Sequence, residues 1–303
     1  MMRIGHTARE KIDIKECYVK INMDNHFTFA DLFCGIGSFH FSLEKLGGKC
    51  VMACDINAAF RETYERNYGI RPLGDICEID ADEIPDFDIL CGGFPCQPFS
   101  NIGHQQGFED ERGTLIYRVA DILTHKRPKA FILENVRGLL NHDEGKTFER
   151  VLSVLKDVGY EIHHKVLSCD DHGIPQMRKR LFIVGIDKVI GGQHEFEFAV
   201  PTCATPDLTE FFGKKFERSV AFTVRCGGRK SNINNRHNWD RYMVDGKVYT
   251  LDVEDMKKLQ GFPPEFELVG SEKQKEQMLG NTIPTNLTRV VGKLVVDHLA
   301  TIS

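Results

Sequence analysis

From His26 to about residue 188, short apolar runs of strand length alternate with amphipathic stretches of helix length, and this alternation restricts the chain more than any other feature. A strand that is apolar on both sides must be covered on both faces, and a helix placed between consecutive strands covers one face at each crossover. Residues 27–33, 50–54, 87–91, 130–133 and 181–186 read as strands, and 39–46, 58–68, 113–125 and 147–158 carry helical spacing. Right-handed crossovers then put helices on both sheet faces, which predicts an α/β, Rossmann-like doubly wound parallel sheet. Residues 1–26 read as a polar extension and 27–188 as the sheet domain. Residues 189–276, rich in Gly, Pro, Asn and basic side chains, read as a small loop-rich domain, and 277–303 as a helix returning to the first.

The chain of 303 residues is long enough to bury a substantial core. Its apolar runs fall short of the roughly 20 residues that cross a bilayer, and the N-terminus lacks the basic-then-apolar order of a signal peptide. A cytoplasmic protein is expected, with no membrane partner. The ten cysteines are scattered, with neither C-x-x-C pairs nor clustered histidines, so free thiols and no metal are expected. A net charge of −5 hides a local asymmetry: between Gly213 and Arg241, Lys214, Lys215, Arg218, Arg225, Arg229, Lys230, Arg236 and Arg241 face only Glu217 and Asp240. Such a run is a solvated basic face unless a nucleic-acid chemistry accompanies it.

Several segments carry chemistry. The stretch from Asp31 to Ser38 (DLFCGIGS) leaves the first strand through glycines that allow close approach to a nucleotide-like ligand; a plain strand-to-helix turn is the other reading. It lacks the third spaced glycine of a pyrophosphate site, which suits S-adenosylmethionine better than a dinucleotide. Asp55 falls 20 residues after Gly35, where an acid accepts from a ribose diol or caps a helix. Asp75 is a turn residue or a partner for an adenine amino group. The segment from Gly92 to Ser100 (GGFPCQPFS) presents Cys96 between two prolines, unfit for helix or interior strand and suited to a nucleophile, although cysteine is commonly a small buried apolar residue. Glu134, in Glu134-Asn-Val136, ends the next strand on the same edge; a merely structural carboxylate there would be paired to a basic neighbour. Arg178 and Arg180, in Gln176-Met-Arg-Lys-Arg180, alternate toward that edge or lie on the surface.

In this order, and joined by Gly113-Thr-Leu115, Leu259-Gln-Gly-Phe-Pro263 and Gly280-Asn-Thr282, these segments resemble the DNA cytosine-5 methyltransferase family. The layout is closest to the short bacterial restriction-modification enzymes of the Hha type. The resemblance spans 27–187 and 249–300. It implies a class I S-adenosylmethionine-dependent methyltransferase fold whose small domain recognises the target in double-stranded DNA. It also implies that Cys96 adds to ring carbon 6 of a cytosine rotated out of the duplex, while Glu134 holds ring nitrogen 3 and Arg178 and Arg180 orient base and carboxylate. By the same resemblance Phe33, Gly35, Gly37, Asp55, Ile56, Asp75, Ile76, Pro95, Leu115, Asn281 and Ile283 form the cofactor site. Gln97 and Ser100 belong to a loop closing over DNA. In the basic segment, Lys214 and Lys215 are expected on phosphates, and Arg225 and Arg229 near base edges.

The sequence departs from the family in three places. Asp55 replaces the usual Glu, and Asp252 and Lys258 replace the usual Thr and Arg ahead of Leu259. The stretch between Arg180 and Leu259 is short for a recognition domain: residues 222–229 resemble its second loop, while the first is reduced or absent. This admits a second polypeptide that supplies recognition, alongside a cognate restriction endonuclease. Methylation of cytosine in transfer RNA keeps the chemistry and changes the substrate, but the Cys-Phe-Thr signature of that branch is missing.

Overall fold

The computed structural model describes residues 26–95, 115–190, 195–229 and 231–302. Among them, β1 (Phe27–Leu32), β2 (Gly48–Cys54), β3 (Ile89–Gly93), β4 (Ala130–Val136), β5 (Tyr160–Ser168) and β6 (Lys179–Asp187) form one sheet in the order β2-β1-β3-β4-β6-β5. The first four strands pair in parallel, as the alternation predicts. β6 runs antiparallel to both β4 and β5, so the sheet is mixed where an all-parallel one was expected. The connection 169–178 is too short for a helical crossover, which takes roughly a dozen residues or more, so the chain turns straight back.

Helices α1 (Ser38–Glu44), α2 (Ala58–Tyr68), α3 (Leu115–Lys126) and α4 (Lys146–Asp157) occupy the two faces. In β4, Ala130 and Ile132 join one apolar cluster with Phe39, Leu43 and Tyr64, while Phe131 and Leu133 join another with Val119, Leu123 and Val151. This two-residue period is what a doubly covered strand requires. Just before Gly74 the chain makes a single parallel bridge, between Leu73 and Cys54. β5 was not foreseen: as an edge strand carrying Glu161, His163, His164 and Lys165, it lacks the apolar signature of its neighbours.

The later segment forms α5 (Leu208–Phe212), a hairpin of β7 (Arg241–Val244) and β8 (Lys247–Thr250), α6 (Val253–Leu259) and α7 (Glu272–Asn281), followed by α8 (Thr285–Ile302). The hairpin turns on Asp245 and Gly246, both at positive φ, as a tight two-residue hairpin loop requires. Trp239 is 1% exposed and its indole N–H donates to Gly227 O at 2.7 Å. Its apolar cluster is continuous with that of α1, α2 and α8. Two family departures have local explanations. Asp252 caps α6 reciprocally with Asp255, a role open to Asp as to Thr, and Lys258 donates to Phe211 O at 2.5 Å. Seven described cysteines are free thiols, whereas Cys203 is disulfide-bonded, contrary to expectation there.

Beneath the β1–α1 turn, His40 is 3% exposed, lies 2.7 Å from the Tyr64 hydroxyl through Nδ1 and stacks on Tyr68 at 3.9 Å. Burial lowers its pKa to about 4. The unfolded chain takes up this proton below about pH 6.5 and the folded one does not, so stability falls as pH drops through that window. Chemical denaturation should show about 2 kcal/mol lost between about pH 7.5 and pH 5 on this account, and His40→Gln should flatten the slope. A variant that keeps the wild-type slope would contradict it.

Candidate active site and cofactor cleft

Consecutive crossovers leave β1 in opposite directions, toward β2 and toward β3, and the loops at that switch point enclose a cleft of about 500 Å³. Phe33 and Gly35 enter it from the end of β1, Asp55 and Ile56 from the end of β2, and Gly74, Asp75, Ile76 and Cys77 from the segment before β3. Gly93 and Pro95 enter from the exit of β3, Leu115 from the start of α3, and Met278, Asn281 and Thr282 from the end of α7. Phe33 adopts φ 54°, a strained value for a large side chain of the kind found at functional sites. Ile56 is 74% exposed although it borders the cleft.

The Asp55 carboxylate organises this corner. Oδ2 accepts from Gly35 N–H at 2.8 Å and Oδ1 from Asn57 N–H at 2.8 Å. Burial pushes its pKa up, against those two amides and Arg61. Asp75 Oδ1 accepts from Cys77 N–H at 2.9 Å, so Asp75 caps a short turn while bordering the cleft. Two residues expected at the cofactor sit behind the lining. Gly37, at φ 84°, leaves room for Tyr68, whose ring a Cβ would meet at 2.4 Å. Ile283 packs behind Gly93. Phe60, Met278 and Thr282 line the cleft without having been singled out; their only signal was proximity to Asp55 and to the Gly280-Asn-Thr282 motif.

At the end of β4, Glu134 is 7% exposed and Arg180 Nε lies 2.7 Å from its Oε1. The pairing follows from register, which sets Val136 opposite Arg180 across the antiparallel ladder. Burial raises the Glu134 pKa, with Arg180 and then Arg178 opposing. Oε2 faces Gly93, where a Cβ would stand only 3.1 Å away. Asn135 Nδ2 donates to Phe94 O at 2.9 Å, tying the exit of β3 to β4. Cys96, Gln97 and Ser100 lie outside the described residues, and Cys96 directly follows Pro95 at the cleft rim.

Arg178 does not accompany Arg180 to the carboxylate. It is 1% exposed and donates to Val224 O at 2.7 Å, Gly280 O at 2.9 Å and Thr282 O at 2.7 Å. Burial lowers its pKa to about 9. The guanidinium thus joins the segment 222–229 to the stretch that closes the switch-point cleft. Gln176 adds to the joint by accepting from Val224 N–H and donating to Leu259 O. In the basic segment, Lys215 and Arg225 are exposed, and Lys214 Nζ donates to the Tyr249 hydroxyl at 2.8 Å. Arg229 is placed differently, bonded to Asp240, Glu276 and Leu251 O, and it fastens the segment to α7.

A cleft at the switch point of such a sheet, beside a buried carboxyl, defines a class I methyltransferase architecture. The model of the C-5 cytosine-specific DNA methylases matches residues 27–219 and 212–296, and the chain belongs to that family. It is 34% identical over 302 residues to the Type II methyltransferase M.DsaV of Dactylococcopsis salina, covering 89% of this chain and 86% of that protein. To M.HhaI of Haemophilus parahaemolyticus it is 31% identical over 302 residues, covering 87% and 92%. Among solved structures, the Entamoeba histolytica methyltransferase EhMeth superposes with a TM-score of 0.69 at 16% identity, covering 90% of this chain and 99% of that one, a likeness of fold. The protein is a DNA (cytosine-5) methyltransferase. Among the described residues, no helix is long and apolar enough to cross a membrane.

Arg178→Lys retains the charge but cannot reach three carbonyls in fixed directions. Urea denaturation should show a loss of about 2–4 kcal/mol. A loss under about 0.5 kcal/mol, the range of an ordinary surface substitution, would contradict the joint described here.

Proposed function

We propose that the switch-point cleft holds S-adenosylmethionine and that Cys96 and Glu134 act together on a cytosine rotated out of double-stranded DNA. The observation that carries this reading is the buried Glu134 carboxyl, whose Oε2 faces Gly93 at the end of β3, three residues before Cys96 in the sequence. The cleft's chemistry suits the cofactor: an aromatic ring and an exposed Ile56 for adenine, and two carboxylates for its amino group and ribose. Each Asp55 oxygen already holds one backbone amide and keeps a second lone pair for a ribose hydroxyl. Phe33 would take the adenine face, Asp75 its amino group, and Pro95, Leu115 and Asn281 the remaining walls. When bound, the cofactor supplies an electrophilic methyl group.

The chain's own residues prepare the acceptor. The Cys96 thiolate adds to ring carbon 6, and the electron pair displaced from the 5,6 double bond makes carbon 5 nucleophilic. Glu134, whose pKa burial raises, donates a proton to ring nitrogen 3 and neutralises the charge that develops there. Arg180 keeps that carboxyl in place. After loss of the proton from carbon 5, elimination restores the double bond and releases Cys96. Gln97 and Ser100, which follow Cys96 in the sequence, are candidate DNA contacts. Lys214, Lys215 and Arg225 supply positive charge for the duplex. The Type II relatives motivate a cognate restriction endonuclease, and the small recognition segment motivates either a short target or a second polypeptide.

Cys96→Ser should abolish methyl transfer and leave cofactor affinity nearly unchanged. On duplex DNA carrying 5-fluorocytosine, the wild type should form a denaturation-resistant adduct, because fluorine cannot leave as the proton does. Near-wild-type turnover of the variant, or no adduct, would overturn the mechanism. Asp55→Ala should weaken cofactor binding by roughly 1.5–3 kcal/mol in titration calorimetry. Unchanged affinity would reduce Asp55 to a cap.

A further inference from the structure

The cations of the basic segment are not equivalent. Arg229 is occupied by two carboxylates and a carbonyl, Arg236 donates to the ring of its neighbour His237, and Lys214 donates to Tyr249. Arg218 differs from these: it is exposed, yet its guanidinium is held in one plane. Nε donates to Val220 O at 2.7 Å, the guanidinium carbon stands 4.0 Å above the Phe222 ring, and one terminal nitrogen is 3.9 Å from Met177 Sδ.

The platform beneath it is itself fixed. Phe222 N–H donates to the Tyr242 hydroxyl at 3.0 Å, Met177 N–H to Ala221 O at 2.8 Å, and the Thr223 hydroxyl to Met177 O at 2.5 Å. Met177 leaves an apolar side chain 41% exposed beside this guanidinium. It lies three residues before Arg180, the partner of Glu134.

We propose that Arg218 is a sequence-reading residue, which meets the major-groove edge of a guanine near the target cytosine. The inference rests on the DNA-methylation reading above. A phosphate needs only a point charge, and a mobile lysine serves it well. A guanidinium whose plane is fixed by an aromatic ring has already lost the freedom that bidentate recognition of a guanine would otherwise remove, and its terminal nitrogens, one of them beside Met177 Sδ, carry further N–H donors. The ring and the exposed Met177 also exclude water from one side of the contact.

The test is methylation of a duplex library randomised around cytosine, read by bisulfite sequencing, for wild type, Arg218→Ala, Arg218→Lys and Phe222→Leu. Both Arg218 variants should lose preference at one base pair near the target by roughly 5- to 150-fold. Phe222→Leu should lose part of the preference at the same pair, and all variants should keep wild-type cofactor affinity and melting behaviour. A uniform loss over all sequences with a salt slope shallower by about 1 would make Arg218 a phosphate contact, and lysine restoring the preference would show that the fixed guanidinium plane is not what reads the base; either result overturns the proposal. Unaltered preference would overturn it equally. A wild type that methylates no cytosine in the library removes the underlying reading and this inference with it, an outcome distinct from a wild type whose preference Arg218 does not affect.

Discussion

The buried guanidinium of Arg178 is the joint on which the arrangement of the site depends. A charge 1% exposed is costly to bury, and the three carbonyls it reaches belong to segments far apart in the chain: Val224 in the basic segment, and Gly280 and Thr282 beside the cofactor cleft. Desolvation therefore favours a single docking of the small region, because any other placement leaves a buried cation without its acceptors. Gly280 reinforces the choice, since a Cβ there would fall 2.2 Å from Cys226 N. The segment 222–229 and the wall of the switch-point cleft are consequently held at backbone contact.

The catalytic edge follows from sheet topology. Parallel β1, β3 and β4 deliver their carboxyl ends to one side, so Gly93 and Glu134 meet there across adjacent strands in register. The antiparallel β6 then brings Arg180 back to the same end, where it pairs with Glu134. A parallel strand in that place would carry the residue preceding it to the opposite end of the sheet. The single reversed strand is thus what allows one short motif to supply both the partner of the Glu134 carboxyl and, two residues earlier, the joint to the segment 222–229.

Much of this was legible in the sequence. Two-sided apolar strands revealed β1 to β4 and β6, and the family resemblance singled out Phe33, Gly35, Asp55, Ile56, Asp75, Ile76, Pro95, Leu115 and Asn281, which line one cleft. Strand direction was not legible, because apolar patterning is the same for either polarity. β5 escaped because edge exposure tolerates charged side chains. The different fates of Arg178 and Arg180 were hidden as well: alternation predicts a shared side, whereas distant carbonyls at 224, 280 and 282 decide where each guanidinium ends. Arg229 looked like its exposed neighbours until Asp240 and Glu276 were placed around it. Trp239, the only tryptophan, organises the small region through contacts that no local pattern announces.

The central claim is that this constellation directs a methyl group to ring carbon 5 of cytosine in DNA. Its most direct test is to incubate the purified chain and unmethylated duplex DNA with S-adenosylmethionine carrying a deuterated methyl group, digest the DNA to nucleosides and identify the product by mass spectrometry. The account predicts labelled 5-methyldeoxycytidine as the sole methylated nucleoside. Label on the exocyclic nitrogen of cytosine, on adenine, or on no nucleoside at all would contradict it.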